Sequence, residues 1–468
     1  MAAFAFPLTP FALLSLLLFP CLGCGNIRFI RVPGGVTALT HVRVIDGTGA
    51  PARQDQTLII ENGRIREIGD FAQIRLTGVT HVLDLRGHTV LPGLVGMHDH
   101  LFYHLPPGNQ SREMLDVFPK LYLAAGVTSV RTAGTIDIDA ELRFKQRIDD
   151  GKEIGPHLYL ATPYIDPDPV EPENPAGYAL AVEQLIPKGV QTVKVYSRIR
   201  SSELAAVIAS AHRHGARVTG HLCAIGFSEA AAMGIDNLEH GLIVDTEFYS
   251  RRQTGACPDW PDVVAELVRM DVRGPRIQAL IETLVKHHVA ITSTLAVFES
   301  FSSARMPRLD VRAVPMLEPN FQAAYLATQS DTARKPDVMW GAMLKKEMAF
   351  ERAFVKAGGL LMAGVDPTGW GGTIAGFGDQ HQVELLVEAG FTPEEAIRIA
   401  TYNGALFLGQ AHQIGSLETG KEADLFVVRG NPVSNIADIR HSEVVFKDGV
   451  GYDSPAILRS LTSRIGSR

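Results

Sequence analysis

Between residues 36 and 92, apolar and polar positions alternate in short runs broken by tight turns. "VTALTHVRVIDGTG", "TLIIENGRIREIGD" and "THVLDLRGHTVLPG" read as strands, with Asp46-Gly47, Asn62-Gly63 and Gly87 as turn signals. The end of the chain has the same texture, in "GSLETGKEADLFVVRGNP" and "HSEVVFKDGV". The two ends are therefore expected to form one small β-sandwich domain, residues 25–92 and 412–468, around a large insertion.

The insertion, 93–411, changes period. Short β-rich runs alternate with helical stretches such as "SSELAAVIASAHRHG" (201–215). The candidate strands are "GLVGMH" (93–98), "VTSVRT" (127–132), "HLYLAT" (157–162), "QTVKVY" (191–196), "ARVTGH" (216–221), "DNLEH" (236–240), "VAITST" (289–294) and "LLMAGVD" (360–366). Eight βα units in about 320 residues predict an α/β fold, a (β/α)8 TIM barrel. Long inserts flank the seventh strand, 241–288 before it and 296–335 after it. The second is rich in Pro, Ser and Arg and is expected over the catalytic face, as a lid.

Composition adds bounds. With 468 residues, 46% hydrophobic and 20% charged, the chain is globular and not disordered. A net charge of −7 without a Lys/Arg block argues against a nucleic-acid partner. Four cysteines make no disulfide framework, and Cys223 and Cys257 are expected as buried small hydrophobes, not as a bridge. The N-terminal "FALLSLLLFPCLGCG" (11–25) has the length of a signal-peptide core, not of a membrane span. Residues 1–24 are thus expected as a signal peptide, and the mature chain in the periplasm or cell envelope. Cys24, after Leu22 and Gly23, resembles a lipoprotein cleavage box and is the candidate for lipid attachment to a membrane. Cys21 stands where that box has an aliphatic residue, and no Lys or Arg lies near the start.

The chemistry begins at "LPGLVGMHDH" (91–100). His98 and His100 are i and i+2 on a strand, so both imidazoles share one face, and Asp99 points away as a structural residue. The fourth strand ends with Lys194 and Tyr196, the fifth at His221, the sixth at His240 and the eighth at Asp366. One strand-end histidine means little. A lysine inside a buried strand demands a partner. Four histidines, a lysine and an aspartate at five strand ends, where a barrel gathers its catalytic groups, predict a metal site.

At these residues the chain resembles the amidohydrolase superfamily, in its imidazolonepropionase-like and prolidase-like branch. The matching stretches are "LPGLVGMHDH", "TVKVY", "VTGHL", "NLEHG", "AGVD", "ELLVEAGFTPEEAIRIATYNGALFLG" and "IGSLETGKEADLFVV". The resemblance implies a (β/α)8 barrel fed by a β-sandwich from both chain ends. It also implies two divalent metal ions, with zinc expected and Mn, Fe or Co also compatible. His98, His100 and Asp366 would hold one, and His221 and His240 the other. Lys194, carboxylated by CO2, would bridge both; an ammonium has no acceptor for a cation, whereas a carbamate is an anionic oxygen ligand. The implied reaction is hydrolysis of a C–N bond in a small-molecule substrate, a dipeptide or an N-acyl amino acid. A metal-bridging hydroxide would attack, with Asp366 as general base and then general acid.

Tyr196 is the expected contact for the substrate carboxylate or oxyanion, with Arg198 and Tyr103 as further substrate-binding candidates. Loops 163–178 and 296–335 are expected to set side-chain preference, and an oligomer is compatible. Two departures stand out: Gly96 replaces an acidic residue common two positions before the first histidine, and "NGA" (403–405) replaces Asn-Pro-Ala. A lactonase or phosphotriesterase on the same metals is the alternative, and a non-catalytic relative a remoter one. A mononuclear deaminase would lack Lys194 and carry Glu where Ala224 stands.

Overall fold

The computed structural model describes residues 27–105, 110–306, 310–368 and 372–467. The expected signal peptide, Cys24 included, lies outside the described residues. No helix among the described residues is long and apolar enough to cross a membrane.

Strands from both chain ends join in one nine-stranded sheet. Leu425–Arg429 pairs antiparallel with His88–Pro92 on one side and Ser442–Lys447 on the other. Thr37–Val44 pairs antiparallel with Arg53–Glu61, and its other edge meets His81–Asp84 and then His88–Pro92 in parallel. The period-2 alternation directs Leu39, Leu58, Ile60, Val90, Leu425 and Phe446 into a small buried core of their own. Asn62 (φ 50°) and Gly63 (φ 77°) are both left-handed, as the two-residue hairpin turn between Arg53–Glu61 and Arg64–Asp70 requires.

The insertion contributes eight parallel strands, one for each expected run. These are β1 (Leu94–Asp99), β2 (Val127–Thr132), β3 (His157–Tyr159), β4 (Thr192–Val195), β5 (Arg217–Gly220), β6 (Asn237–Glu239), β7 (Ala290–Ser293) and β8 (Leu361–Ala363). They pair in the order β1-β2-β3 and β4-β5-β6-β7-β8. Parallel bridges Ala161–Thr192 and Ile165–Val195 join the stretch after β3 to β4. At the other seam, the N–H groups of Val365 and Asp366 donate to the carbonyl of His98, at 3.2 and 2.8 Å. Gly364 makes that approach feasible, since a Cβ there would lie 2.4 Å from the His98 Cβ. The fold is thus mixed α/β with parallel strands.

Helices return the chain between strands. In Ser201–Arg213, Leu204, Val207, Ile208 and Ala211 are buried, one stripe at helical spacing. Glu203 caps its start by accepting from the Arg200 N–H at 3.1 Å.

Cys223 and Cys257 correct the expectation made for them. They form a disulfide, with Cα atoms 5.1 Å apart. It ties the loop after β5 to the insert after β6. Across a separation of 34 residues, the chain-entropy account gives about 3–4 kcal/mol of stabilisation.

Candidate metal centre

Six of the expected ligands line one cavity of about 1000 Å3, counted out to its mouth: His98, His100, Lys194, His221, His240 and Asp366. The Nε2 atoms of His98 and His100 lie 3.8 and 3.3 Å from Asp366 Oδ1. The His240 ring is centred 4.5 Å from that of His98 and 4.6 Å from that of His221. One ligand atom each from His98, His240 and Asp366 fall within 4.8 Å of one another. His240 (φ 73°) and Asp366 (φ 49°) are left-handed, so the backbone leaves strand geometry where it presents them. Such conformations cost on the order of 1 kcal/mol or more and gather at functional sites.

The electrostatics suit cations. Burial, with Lys194 adding to it, pushes His221 down to about 3. Burial and the neighbouring His98 hold His240 well below the usual imidazole range. These rings are neutral and offer lone pairs. Burial also pushes the Lys194 amine down to about 8, which favours the uncharged form that can react with CO2. Burial opposes ionisation of Asp366, but His98 and His100 more than offset it, and the carboxylate stays charged. Lys194 Nζ and His100 Nδ1 are buried without a hydrogen-bond partner. A buried set of neutral imidazoles, the Asp366 carboxylate and an amine whose nearest carboxylate, Glu239, lies 3.9 Å away beyond hydrogen-bond reach is costly as a polar core. As a donor set for divalent metal ions it fits.

A supporting layer fixes the imidazoles. His98 Nδ1 bonds Glu239 Oε2 at 2.7 Å and His240 Nδ1 bonds Thr294 Oγ1 at 2.8 Å, which leaves Nε2 of each for an ion. Glu239 also accepts from Arg131 at 2.5 Å and from Thr219. Arg131 reaches Asn237 Oδ1 at 2.7 Å and the Met97 carbonyl. Sequence reasoning missed Arg131 and Glu239. Their signal was the one that exposed Lys194, a charged residue inside a buried strand.

Asp99 is structural, as expected. It is buried against Asp379 and accepts from the Val365 N–H at 3.4 Å. Burial raises both carboxyls, Asp379 to about 7, and the charge of Asp379 raises Asp99 further, so the pair holds a proton. This explains Gly96: a Cβ there would fall 1.8 Å from Asp99 Oδ2. The space an acidic side chain at 96 would enter is filled by Asp99.

Tyr196 lines the cavity, its ring centred 4.8 Å from His221 and 5.0 Å from Tyr164. Burial raises its phenol, which stays protonated as a donor. Tyr103 does not reach the cavity, against expectation. It lies on a strand, Phe102–Leu105, whose even positions face the site: Phe102 packs on His100, and His104 lines the cavity. Tyr103 points the other way, donates to the Thr373 carbonyl at 3.0 Å and packs on Phe118 and Phe321. Arg198 is likewise corrected. It lies outside the cavity lining, and its guanidinium clasps Asp166 at 2.6 and 3.1 Å. Lys194 is the one lysine, and no arginine appears, among the described residues lining the cavity. The insert after β6 supplies Val244, Cys257, Trp260 and Val263 to the wall. This contribution was not foreseen, because loop paths carry no periodic signal.

Known proteins share these features. The amidohydrolase family matches residues 89–450. Imidazolonepropionase of Flavobacterium johnsoniae is 21% identical over 413 residues, 87% of this chain and 92% of the relative. That of Geobacillus kaustophilus is 43% identical over 63 residues, 13% of this chain and 15% of the relative. A solved Xaa-Pro dipeptidase with bound methionine in the active site has a TM-score of 0.66 at 22% identity, covering 89% of this chain and 100% of that one. A putative prolidase from Bifidobacterium longum has a TM-score of 0.64 at 22% identity, covering 92% and 99%. At such identities the solved structures speak for the fold. With the family match spanning most of its length, the chain belongs to the amidohydrolase family and is a hydrolase acting on carbon–nitrogen bonds.

Proposed function

We propose that the protein is a binuclear metal-dependent amidohydrolase that cleaves a dipeptide or an N-acyl amino acid. The observation that carries this is the convergence of His98, His100, Lys194, His221, His240 and Asp366 from five strand ends into one cavity. His98, His100 and Asp366 would hold one ion and His221 and His240 the other, with Lys194 as a carbamate between them and zinc as the expected metal. When bound, the ions would polarise the scissile carbonyl and make water acidic enough to attack near neutral pH.

The chain's own residues would do the rest. Glu239 and Thr294 hold the tautomers of His98 and His240. Asp366 Oδ1 takes a proton from the attacking water and returns it to the leaving nitrogen. The ionised carboxylate is free to accept in the first step, and the basicity of the departing amine draws the proton on to nitrogen. Tyr196 donates its phenol proton as a hydrogen bond to the oxyanion or to a terminal carboxylate.

In the same reading the eight strands close into one (β/α)8 barrel through the two seams described above, and the sheet of both chain ends is a β-sandwich domain beside it. Export of the chain, with Cys24 as a lipid-attachment candidate, rests on the leader pattern. The Cys223–Cys257 disulfide supports an oxidising compartment.

The test is a turnover screen. The protein, prepared with zinc and bicarbonate, is offered dipeptides and N-acyl amino acids, and free amino acid is measured. Release from a defined subset is the expected result. Silence across the library, with two metals bound, would move the assignment to lactones or phosphotriesters.

A further inference from the structure

One wall of the cavity is aromatic and begins at a metal-ligand candidate. The Phe298 ring stands 5.4 Å from the His240 ring, edge to face. Trp260 lies 6.0 Å from Phe298 and 5.2 Å from Phe301, and Trp340 packs against it at 4.7 Å. Val263 and Val297 line the same cavity. The one polar atom of Trp260, Nε1, donates to the Ile243 carbonyl at 3.0 Å, so the indole offers a ligand only apolar contact.

Two separate inserts build this wall. Trp260 comes from the segment after β6, and Phe298 from the helix Leu295–Glu299 after β7. The disulfide anchors Cys257, three residues before Trp260, to Cys223, two residues after His221. The wall is thereby tied covalently to the loop that carries a ligand candidate.

We propose that this wall is a subsite for an aromatic or large apolar side chain carried next to the scissile C–N bond. The choice of occupant follows from charge and size. Among the described lining residues no arginine appears and the one lysine, Lys194, stands with the metal-ligand candidates, so an acidic side chain placed on the aromatic wall would lose its hydration without gaining a cation there. Among the described lining residues a basic one would meet no carboxylate except Asp366, at the metal centre. A glycine or alanine side chain would leave the rings in contact with water. A phenyl or branched aliphatic group buries both surfaces and meets aromatic edges and faces. The near end of the wall, Phe298, stands 5.4 Å from His240, close enough for a side chain on the wall to be carried beside the bond held at the metal centre.

The proposal takes its reaction, though not its binding, from the amide-hydrolase reading, and two measurements separate them. The first compares kcat/KM for dipeptides and N-acyl amino acids that differ only in one side chain, Gly, Ala, Leu or Phe. The second is calorimetric binding of 3-phenylpropanoate against propanoate to the metal-loaded protein, which needs no turnover. Both ligands present the same carboxylate to the metals, so their affinity ratio reports the wall. The expected result is a preference for Phe and Leu over Gly, and for the phenyl ligand over propanoate, of at least about tenfold. Trp260→Ala should collapse both ratios towards one, and Trp260→Phe should retain most of each. Equal affinity of the wild-type protein for the two propanoates would overturn the subsite, whether or not the variants fold. Preference for the phenyl ligand without any C–N cleavage would uphold the subsite and sink the reaction. Cleavage that ignores the side chain would do the reverse.

Discussion

His157 opens β3 at the end away from the metal-ligand candidates, and its Nε2 lies 3.0 Å from Asp424 and 3.4 Å from Asp448. Asp424 stands just before the strand Leu425–Arg429 and Asp448 in the turn after Ser442–Lys447, so one ring ties the sheet of the chain ends to the parallel strands. Burial alone would lower this imidazole, but Asp424 and then Asp448 outweigh it and push it up to about 9. The unfolded value is about 6.5. The stabilisation is therefore fully present below about pH 6.5 and is lost as the pH rises through 9. The side chain is 25% exposed, which weakens the pair by solvent screening. His157→Gln should lower unfolding stability by about 1–2 kcal/mol at pH 6 and by much less at pH 10. Denaturant midpoints at the two pH values check this, and a gap independent of pH would contradict it. At this scale the sequence was informative where a charge sat inside an apolar run. Lys194 was legible for that reason, and Arg131 and Glu239 could have been read by the same rule. Tyr103 and Arg198 were misjudged because nearness in the chain to a ligand does not fix the face. Strand alternation turns Tyr103 into the core, and Asp166 captures Arg198 outside the cavity.

Among the elements, the insert after β6 has the most to lose from its covalent tie. Residues 245–259 hold no helix or strand, and Arg251 and Arg252 are two cleavable positions within it. Arg251 pairs with Asp262 at 3.0 Å in an exposed ion pair of little worth, and the partly buried Arg252 meets Glu229 at 3.6 Å and donates to the Ala224 carbonyl at 3.1 Å. Without the disulfide the segment should open locally far more often. Thiol reduction, or Cys257→Ser, should speed tryptic nicking at Arg251 and Arg252 by at least about tenfold while the parallel strands stay intact. An unchanged nicking rate would show that packing alone holds the insert. The eight strands were legible because apolar runs and turn signals mark them, yet β3 and β8 each keep three residues of the longer runs expected. The chain leaves the ladder early there, and at Asp366 it does so to present a ligand candidate. The disulfide was not legible, since a separation of 34 residues says nothing about two loops meeting at one rim.

For the whole molecule, both chain ends meet in one sheet, and the insertion they frame carries the cavity. That arrangement could be read from the shared texture of residues 36–92 and 412–453, because hairpin turns and period-2 alternation are local signals. The aromatic wall and its covalent anchor could not, because they depend on how two long inserts fold over the strand ends. Lys194 as an anionic bridge between two ions is the central element of the proposed function. The measurement that tests it most directly is metal content per chain, with turnover, for the wild-type protein and Lys194→Ala prepared with zinc and bicarbonate. Two ions are expected in the wild type. Lys194→Ala should hold one or none and be inactive, with turnover partly restored by short carboxylic acids. Two ions and normal turnover in Lys194→Ala would contradict it.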